Sequence, residues 1–238
     1  MKHAGGVLAA YISFGVPAEH LIAASVMSAP AALAISKILL PETEESSTAG
    51  TVKVEVKQTY ANVIDAATTG AKDGIKLAVN VAAMLIAFLG LVAMVNGLLG
   101  WIGAGVGLSQ LSLEWIFSLL FAPVAWLMGV PWGDCSQVGV LLGKKTILNE
   151  FIAYLDLKTI IENTQKGEIV NVISERSQII ATYALCGFSN IGSIAVQIGG
   201  ISAIAPSRQH DLAKLGVRAM IGGSIACFMT ACIAGILL

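Results

Sequence analysis

Asn149 and Glu150 set an amide beside a carboxylate within a mostly apolar stretch broken by glycines. An ionisable side chain in such a place is costly to bury. In a membrane-embedded chain it marks a working site by default. Two other polar clusters interrupt apolar sequence: Phe188-Ser189-Asn190-Ile191-Gly192-Ser193, and Ser25 with Ser28 ahead of Pro30. Asn190 and Ser193 are three apart, so on a helix they share a face. Gly187 and Gly192 weaken a helix there, which frees backbone groups for a ligand or ion. A carboxylate accepts two hydroxyl hydrogens, an asparagine offers a donor and an acceptor, and the face of Phe188 packs a flat ring. The set suits a hydroxyl-bearing ligand. Plainer uses compete: Asn190 and Ser193 as interhelical glue, Phe188 as packing, and Glu150 as an acid at a helix start. Spacing alone leaves these open.

The elements that hold these residues must be membrane elements. Of 238 residues, 56% are hydrophobic and 12% charged, where a soluble domain carries about 25% charge. The mean hydropathy is +0.80. A chain this poor in polar residues cannot cover a globule in water, so it reads as an all-α integral membrane protein. The net charge of −1 makes no case for nucleic acid or for a basic membrane-surface patch. Cys135, Cys186, Cys227 and Cys232 lack metal-site spacing and read as small packing residues. No Ser-His-Asp arrangement, metal cluster or phosphate loop suggests an enzyme.

Charges and glycines divide the chain. Residues 1–40 read as a broken span followed by a second span, with Glu19-His20 between them and Pro30 inside the latter. Thr51–Lys57 reads as extended. Ala61, Ile64, Ala67, Ala71 and Ile75 recur at helical spacing, which predicts an interfacial helix over 61–76. The uncharged 77–99 is long enough to cross a bilayer, and the glycines from Gly97 onward predict a helix end near Gly97–Gly100 and a loop beyond. Residues 112–157 hold short, interrupted pieces, roughly Asp134–Lys144 and Asn149–Leu157. These suit an interfacial segment and a re-entrant hairpin, which is tolerated only inside protein or beside water. A polar connection over 156–176, a span over 177–206, a short basic loop over 208–218 and a last span over 219–238 follow. The tryptophans Trp101, Trp115, Trp126 and Trp132 read as interfacial anchors. Arg208, Lys214 and Arg218 place the basic loop in the cytoplasm and Leu238 outside.

These residues carry a resemblance. The chain is similar to the C-terminal portion of the concentrative nucleoside transporters, the sodium-coupled family. The matching stretches are Tyr11-Ile12-Ser13-Phe14-Gly15, the run from His20 to Pro30 and on to Glu44, Asn149-Glu150-Phe151-Ile152-Ala153-Tyr154, the run from Ile180 to Ser193, Ala205-Pro206-Ser207-Arg208, and the run from Ala226 to Cys232. They are collinear over essentially the whole chain.

The resemblance implies an all-helical fold with a trimerising scaffold and a mobile transport part that holds two re-entrant hairpins. It implies that Glu150 lies near the tip of the second hairpin. Glu150, Asn190 and Ser193 would hold a ribose, with Asn149 beside Glu150 and Phe188 packing next to the nucleoside. Residues 77–99 would be a scaffold span. The family's first hairpin, which reads the base and helps ligate sodium, has no counterpart in this sequence. The chain is therefore expected to be N-terminally truncated relative to the family and to carry the ribose half of the site. The expected function is nucleoside:sodium symport across the plasma membrane, with no cofactor and with sodium as coupling ion, its ligands largely outside this chain. Expected partners are nucleosides, sodium, the lipid bilayer and two further copies in a homotrimer, without nucleic acid. The alternative is a non-transporting chain that joins full-length subunits and modulates them.

Overall fold

The computed structural model describes residues 5–43, 61–167 and 172–238, and Thr51–Lys57 lies outside them. Among the described residues the regular structure is helical. It runs α1 (Gly5–Ser13), α2 (Ala18–Leu39), α3 (Val63–Val106), α4 (Leu113–Leu127), α5 (Trp132–Ile147), α6 (Glu150–Lys166), α7 (Glu175–Leu185), α8 (Ile191–Ile204), a single 3-10 turn (Pro206–Arg208) and α9 (Gln209–Leu237).

Among the described residues two helices, α2 and α9, are each long and apolar enough to cross a membrane by length and composition. They pack on each other, and α7 and α8 pack on α9. The pair α4 and α5 is bent by 119° at the intervening turn. Gly129 makes this bend with a φ of 94°, a left-handed conformation that strains any residue with a Cβ. Pro131 then sits as N-cap of α5. The two helices press together because α5 offers Gly139 and Gly143 to α4. A Cβ on Gly139 would lie 2.8 Å from the Ser118 carbonyl oxygen, and one on Gly143 would run into Phe117. The buried core joins Leu21 and Ala24 of α2, Leu141 and Leu142 of α5, Leu157 of α6, Ile180 and Leu185 of α7, and Ala231 of α9.

Several boundaries differ from the sequence reading. The interfacial helix expected at 61–76 and the span expected at 77–99 are one helix, α3, which passes Gly97 and Gly100 and ends at Gly107 with a φ of 75°. Glycine lowers helix propensity by about 1 kcal/mol per residue. An unsatisfied backbone group in an apolar medium costs several times that, so the helix persists through its glycines. The polar connection expected from Asp156 is instead helical as far as Lys166. Glu150, Ala153, Tyr154, Leu157 and Ile160 form one buried stripe, so burial overrides polarity there. All of the loop expected over 208–218 except Arg208 belongs to α9, where Leu212, Leu215 and Ala219 turn one face toward Ile194, Ile198 and Ile201 of α8. The span expected over 177–206 is split into α7 and α8 by residues 186–190.

Candidate functional site

Three helix interruptions meet at Glu150. The first lies between α1 and α2, the second at 148–149 between α5 and α6, and the third at 186–190 between α7 and α8. Each leaves helix ends whose first N–H groups and last C=O groups lack partners within the helix.

Asn149 starts α6. Its side-chain oxygen accepts from the Ile152 N–H at 2.9 Å, which caps the helix and fixes the backbone on which Glu150 sits. Glu150 is the first residue of α6, where the helix dipole favours an anion. Its carboxylate is buried, with 5% of the residue exposed. The Tyr11 hydroxyl donates to Oε1 at 3.3 Å, and the Asn190 amide donates to Oε2 at 3.3 Å. One carboxylate therefore joins α1, α6 and the start of α8.

Asn190 is the N-cap of α8, and Ser193 completes a reciprocal capping box. The Ser193 N–H donates to Asn190 Oδ1 at 2.7 Å, and the Asn190 N–H donates to Ser193 Oγ at 3.2 Å. This replaces the shared helix face expected from spacing. Asn190 lies at the helix boundary, which turns its amide nitrogen toward Glu150 while its oxygen holds the cap. Asn190 and Ser193 are both buried.

The structure thus brings Glu150, Asn190 and Ser193 together, and it places Asn149 beside them as a helix cap. Phe188 lies elsewhere. It is half-buried and lines a cavity of about 630 Å³ between α2, α8 and α9, whose lining does not include Glu150, Asn190 or Ser193.

Sequence reasoning missed two residues. Tyr11 lies 139 positions from Glu150 and carries no local signal of their contact. Its ring also sits 4.3 Å from that of Tyr154, while Phe14 meets Phe151 edge-on at 5.1 Å, so an aromatic wall backs the carboxylate. Lys145 falls between the two short pieces expected at Asp134–Lys144 and Asn149–Leu157, and no role was expected of it. It is 1% exposed, donates to the Ala184 carbonyl at 2.8 Å, and lies 5.9 Å from the centre of the Phe228 ring. It satisfies a carbonyl left open near the end of α7 and supplies positive charge in the region of Glu150. Its neighbour Lys144 faces outward and pairs with Asp156 of α6. The adjacent lysines differ only in the helix face they occupy, which a doublet in sequence conceals.

Among the described residues, interrupted apolar helices converging on a buried carboxylate give the architecture of a helical integral membrane protein. Residues 20–235 match the family described as Na+ dependent nucleoside transporter C-terminus, and the chain belongs to that family.

The chain is 51% identical over 243 residues to human "Solute carrier family 28 member 3", an alignment covering 98% of this chain and 35% of the relative. It is 45% identical over 243 residues to mouse "Sodium/nucleoside cotransporter 1", covering 98% of this chain and 37% of that protein. The chain thus spans about a third of the length of these curated relatives. Among solved structures it is similar to CNTnw in an inward-facing substrate-bound state, with a TM-score of 0.82 and 44% identity, covering 99% of this chain and 54% of that one.

Proposed function

We propose that this chain serves sodium-coupled nucleoside uptake across the plasma membrane and carries the ribose-holding half of the site. The observation that carries the reading is the buried Glu150 carboxylate, shared by Tyr11 and Asn190 where three helix breaks meet. Two vicinal hydroxyls match one carboxylate, since each hydroxyl donates to one oxygen. An entering ribose replaces the 3.3 Å bonds from Tyr11 and Asn190 with its own hydroxyl donors, while the Asn190 amide and the Ser193 hydroxyl turn to the sugar. Asn149 contributes its remaining amide hydrogens. Phe188 packs against the base.

In this reading α5 and α6 form the re-entrant hairpin, with its turn at 148–149. Sodium orders that hairpin around the nucleoside, and the transport part then moves against the scaffold. α3 is the scaffold helix. Its exposed Ile86, Leu91, Met94 and Leu98 face neighbouring copies in a homotrimer. The basic start of α9 is cytoplasmic, so Leu238 lies outside.

The test is uptake of radiolabelled uridine and adenosine by transporter-deficient cells expressing the chain, with and without sodium. Sodium-dependent uptake that Glu150→Gln abolishes at unchanged surface expression is the expected result. Unaltered uptake in that variant sinks the role of Glu150. Absent uptake from chain that reaches the surface, with inhibition of a co-expressed full-length relative, would favour a modulating subunit instead.

A further inference from the structure

The ribose reading leaves the buried cation of Lys145 unused. Helix α7 ends at Leu185, and a helix end leaves its last carbonyls without donors from the same helix. Here each carbonyl from Thr182 to Cys186 has a donor. The Cys186 N–H donates to the Tyr183 carbonyl at 3.2 Å, and the Gly187 N–H to the Leu185 carbonyl at 2.8 Å. The other three are met from other helices. The Tyr154 hydroxyl of α6 donates to Thr182 at 2.7 Å, the Lys145 ammonium of α5 to Ala184 at 2.8 Å, and the Cys227 thiol of α9 to Cys186 at 3.4 Å.

Lys145 stands apart from the other two side-chain donors because it carries a charge. Among the described residues no carboxylate lies within ion-pair distance of its ammonium. Burying a charge without a partner ion is costly, and a neutral donor would satisfy the carbonyl at lower cost. Three features offset the burial. The negative end of the α7 dipole favours a cation, the Phe228 ring lies 5.9 Å away, and Lys145 acts through space on Glu150. Its place in the chain matters as well. Lys145 comes just before the 148–149 turn, and Tyr154 lies one helical turn beyond Glu150. Both helices flanking that turn therefore grip the same end of α7, with Glu150 between the two grips. From that end the non-helical residues 186–190 lead to Asn190, whose amide donates to Glu150 at 3.3 Å.

We propose that Lys145 is a positioning residue for nucleoside binding, which ties α5 to the end of α7 and so holds Asn190 where it and Glu150 can share a ribose. The inference rests on the ribose reading above and extends it. Residues 186–190 lack the internal hydrogen-bond ladder of a helix, so the place of Asn190 depends on where the end of α7 is held. The Ala184 carbonyl is the point at which α5 holds it. A bond from a charged donor is about twice as strong as a neutral one. The tie thus stays made while the Tyr11 and Asn190 bonds to Glu150 exchange for those of the sugar. Lys145 acts on the ligand through Asn190 and makes no contact of its own in this reading.

The test uses the full 238-residue chain purified in detergent, with hydrogen–deuterium exchange of residues 186–190 and binding of tritiated uridine as readouts. Lys145→Met keeps the bulk and removes the donor. It should speed exchange at 186–190 and weaken uridine binding by about tenfold each, the size of one hydrogen bond to a charged group. Exchange in α2 should stay put, and Lys145→Arg, which keeps a donating cation, should restore most of both. Because Lys145 acts through Asn190, adding Lys145→Met to Asn190→Ala should weaken binding by less than about twofold more. Exchange and affinity unchanged within about twofold in Lys145→Met overturn the inference, and so do fully additive losses in the double variant. Exchange that rises equally in α2, without rescue by arginine, assigns Lys145 to general stability and also overturns it. If Lys145→Met yields no folded chain, Lys145→Gln carries the same readouts, with about threefold effects expected and no effect overturning the inference. Loss of binding in Glu150→Gln alongside an unaffected Lys145→Met leaves the ribose reading standing, whereas wild-type chain that binds no uridine overturns both.

Discussion

The junction around Glu150 and the helix α3 solve opposite problems with similar apolar sequence. At the junction, helices stop and restart at 148–149 and 186–190, and buried polar side chains take up the backbone groups left over. α3 runs unbroken for 44 residues and leaves Ile86, Leu91, Met94 and Leu98 exposed. Glycine occurs in both places. At the junction Gly187 lies in a break that Asn190 and Ser193 cap. In α3, Gly97 and Gly100 stay helical, and the adjacent Asn96 side chain accepts from the Leu113 N–H instead of capping a break beside them. A glycine permits a break, and a capping side chain with somewhere to point makes one. On the proposed reading, the difference separates a region that holds a polar ligand from one that meets apolar surroundings.

Substitutions can break or sharpen this contrast. The largest effect is expected at Glu150, where the Gln variant keeps the shape but removes the charge that two donors share. Hydrogen bonds to a charged group are worth about 1.5–3 kcal/mol each, so nucleoside uptake should fall on the order of 100-fold. Sodium-dependent uridine uptake at matched surface expression measures it. A loss below about threefold would mean that the carboxylate holds helices together and nothing more.

Gly143→Val comes next. The added side chain meets Phe117 across the α4–α5 seam, and overpacking of this kind costs about 1–3 kcal/mol. The melting temperature of the detergent-purified chain should drop, and a seam that loosens without a drop would show that α4 and α5 are not rigidly packed.

Asn149→Ala removes the α6 cap at a cost of about 1 kcal/mol. It should lower the melting temperature less than Gly143→Val. Because the cap orients the backbone of Glu150, the same variant should also weaken uridine binding, while Asn149→Ser should restore part of both.

Met94→Ala on α3 should be smallest, within about 0.5 kcal/mol for the stability of the single chain. A subunit cross-linking assay then sharpens the comparison. If α3 is the trimer face, a bulkier change such as Met94→Arg reduces cross-linked trimer without altering the melting temperature of the monomer. A large stability change in Met94→Ala would place α3 in the core and erase the distinction between the two regions.

Much of the junction was legible along the chain. Asn149-Glu150 and Asn190 with Ser193 stood out because polar groups within apolar sequence are expensive. The same stretches carried the family resemblance, and the family match spans residues 20–235. The split between α7 and α8 was half visible, since Gly187 and Gly192 marked weakness without fixing its consequence. Lys145 was not legible, because the short piece expected at Asp134–Lys144 stops one residue before it, and a lysine doublet does not tell which of the two faces the core. Residues 156–166 misled for a related reason. Their charges lie on the outer face of α6, and the buried stripe through Leu157 and Ile160 holds the helix together.

The amino-acid sequence alone determined the class of the protein. Its apolar content demands a membrane or a core, its helix-compatible runs demand helices, and its few embedded polar residues name the places where a ligand can be held. Tertiary structure alone decided which of those residues meet. Tyr11 and Glu150 are 139 positions apart, and Glu150 and Asn190 are 40 apart. No local periodicity encodes a contact at such distances, because it depends on how α1, α6 and α8 pack. The same packing separated Phe188 from Asn190, two residues away. One side of a helix break faces the carboxylate, and the other opens into a cavity that only the assembled α2, α8 and α9 create.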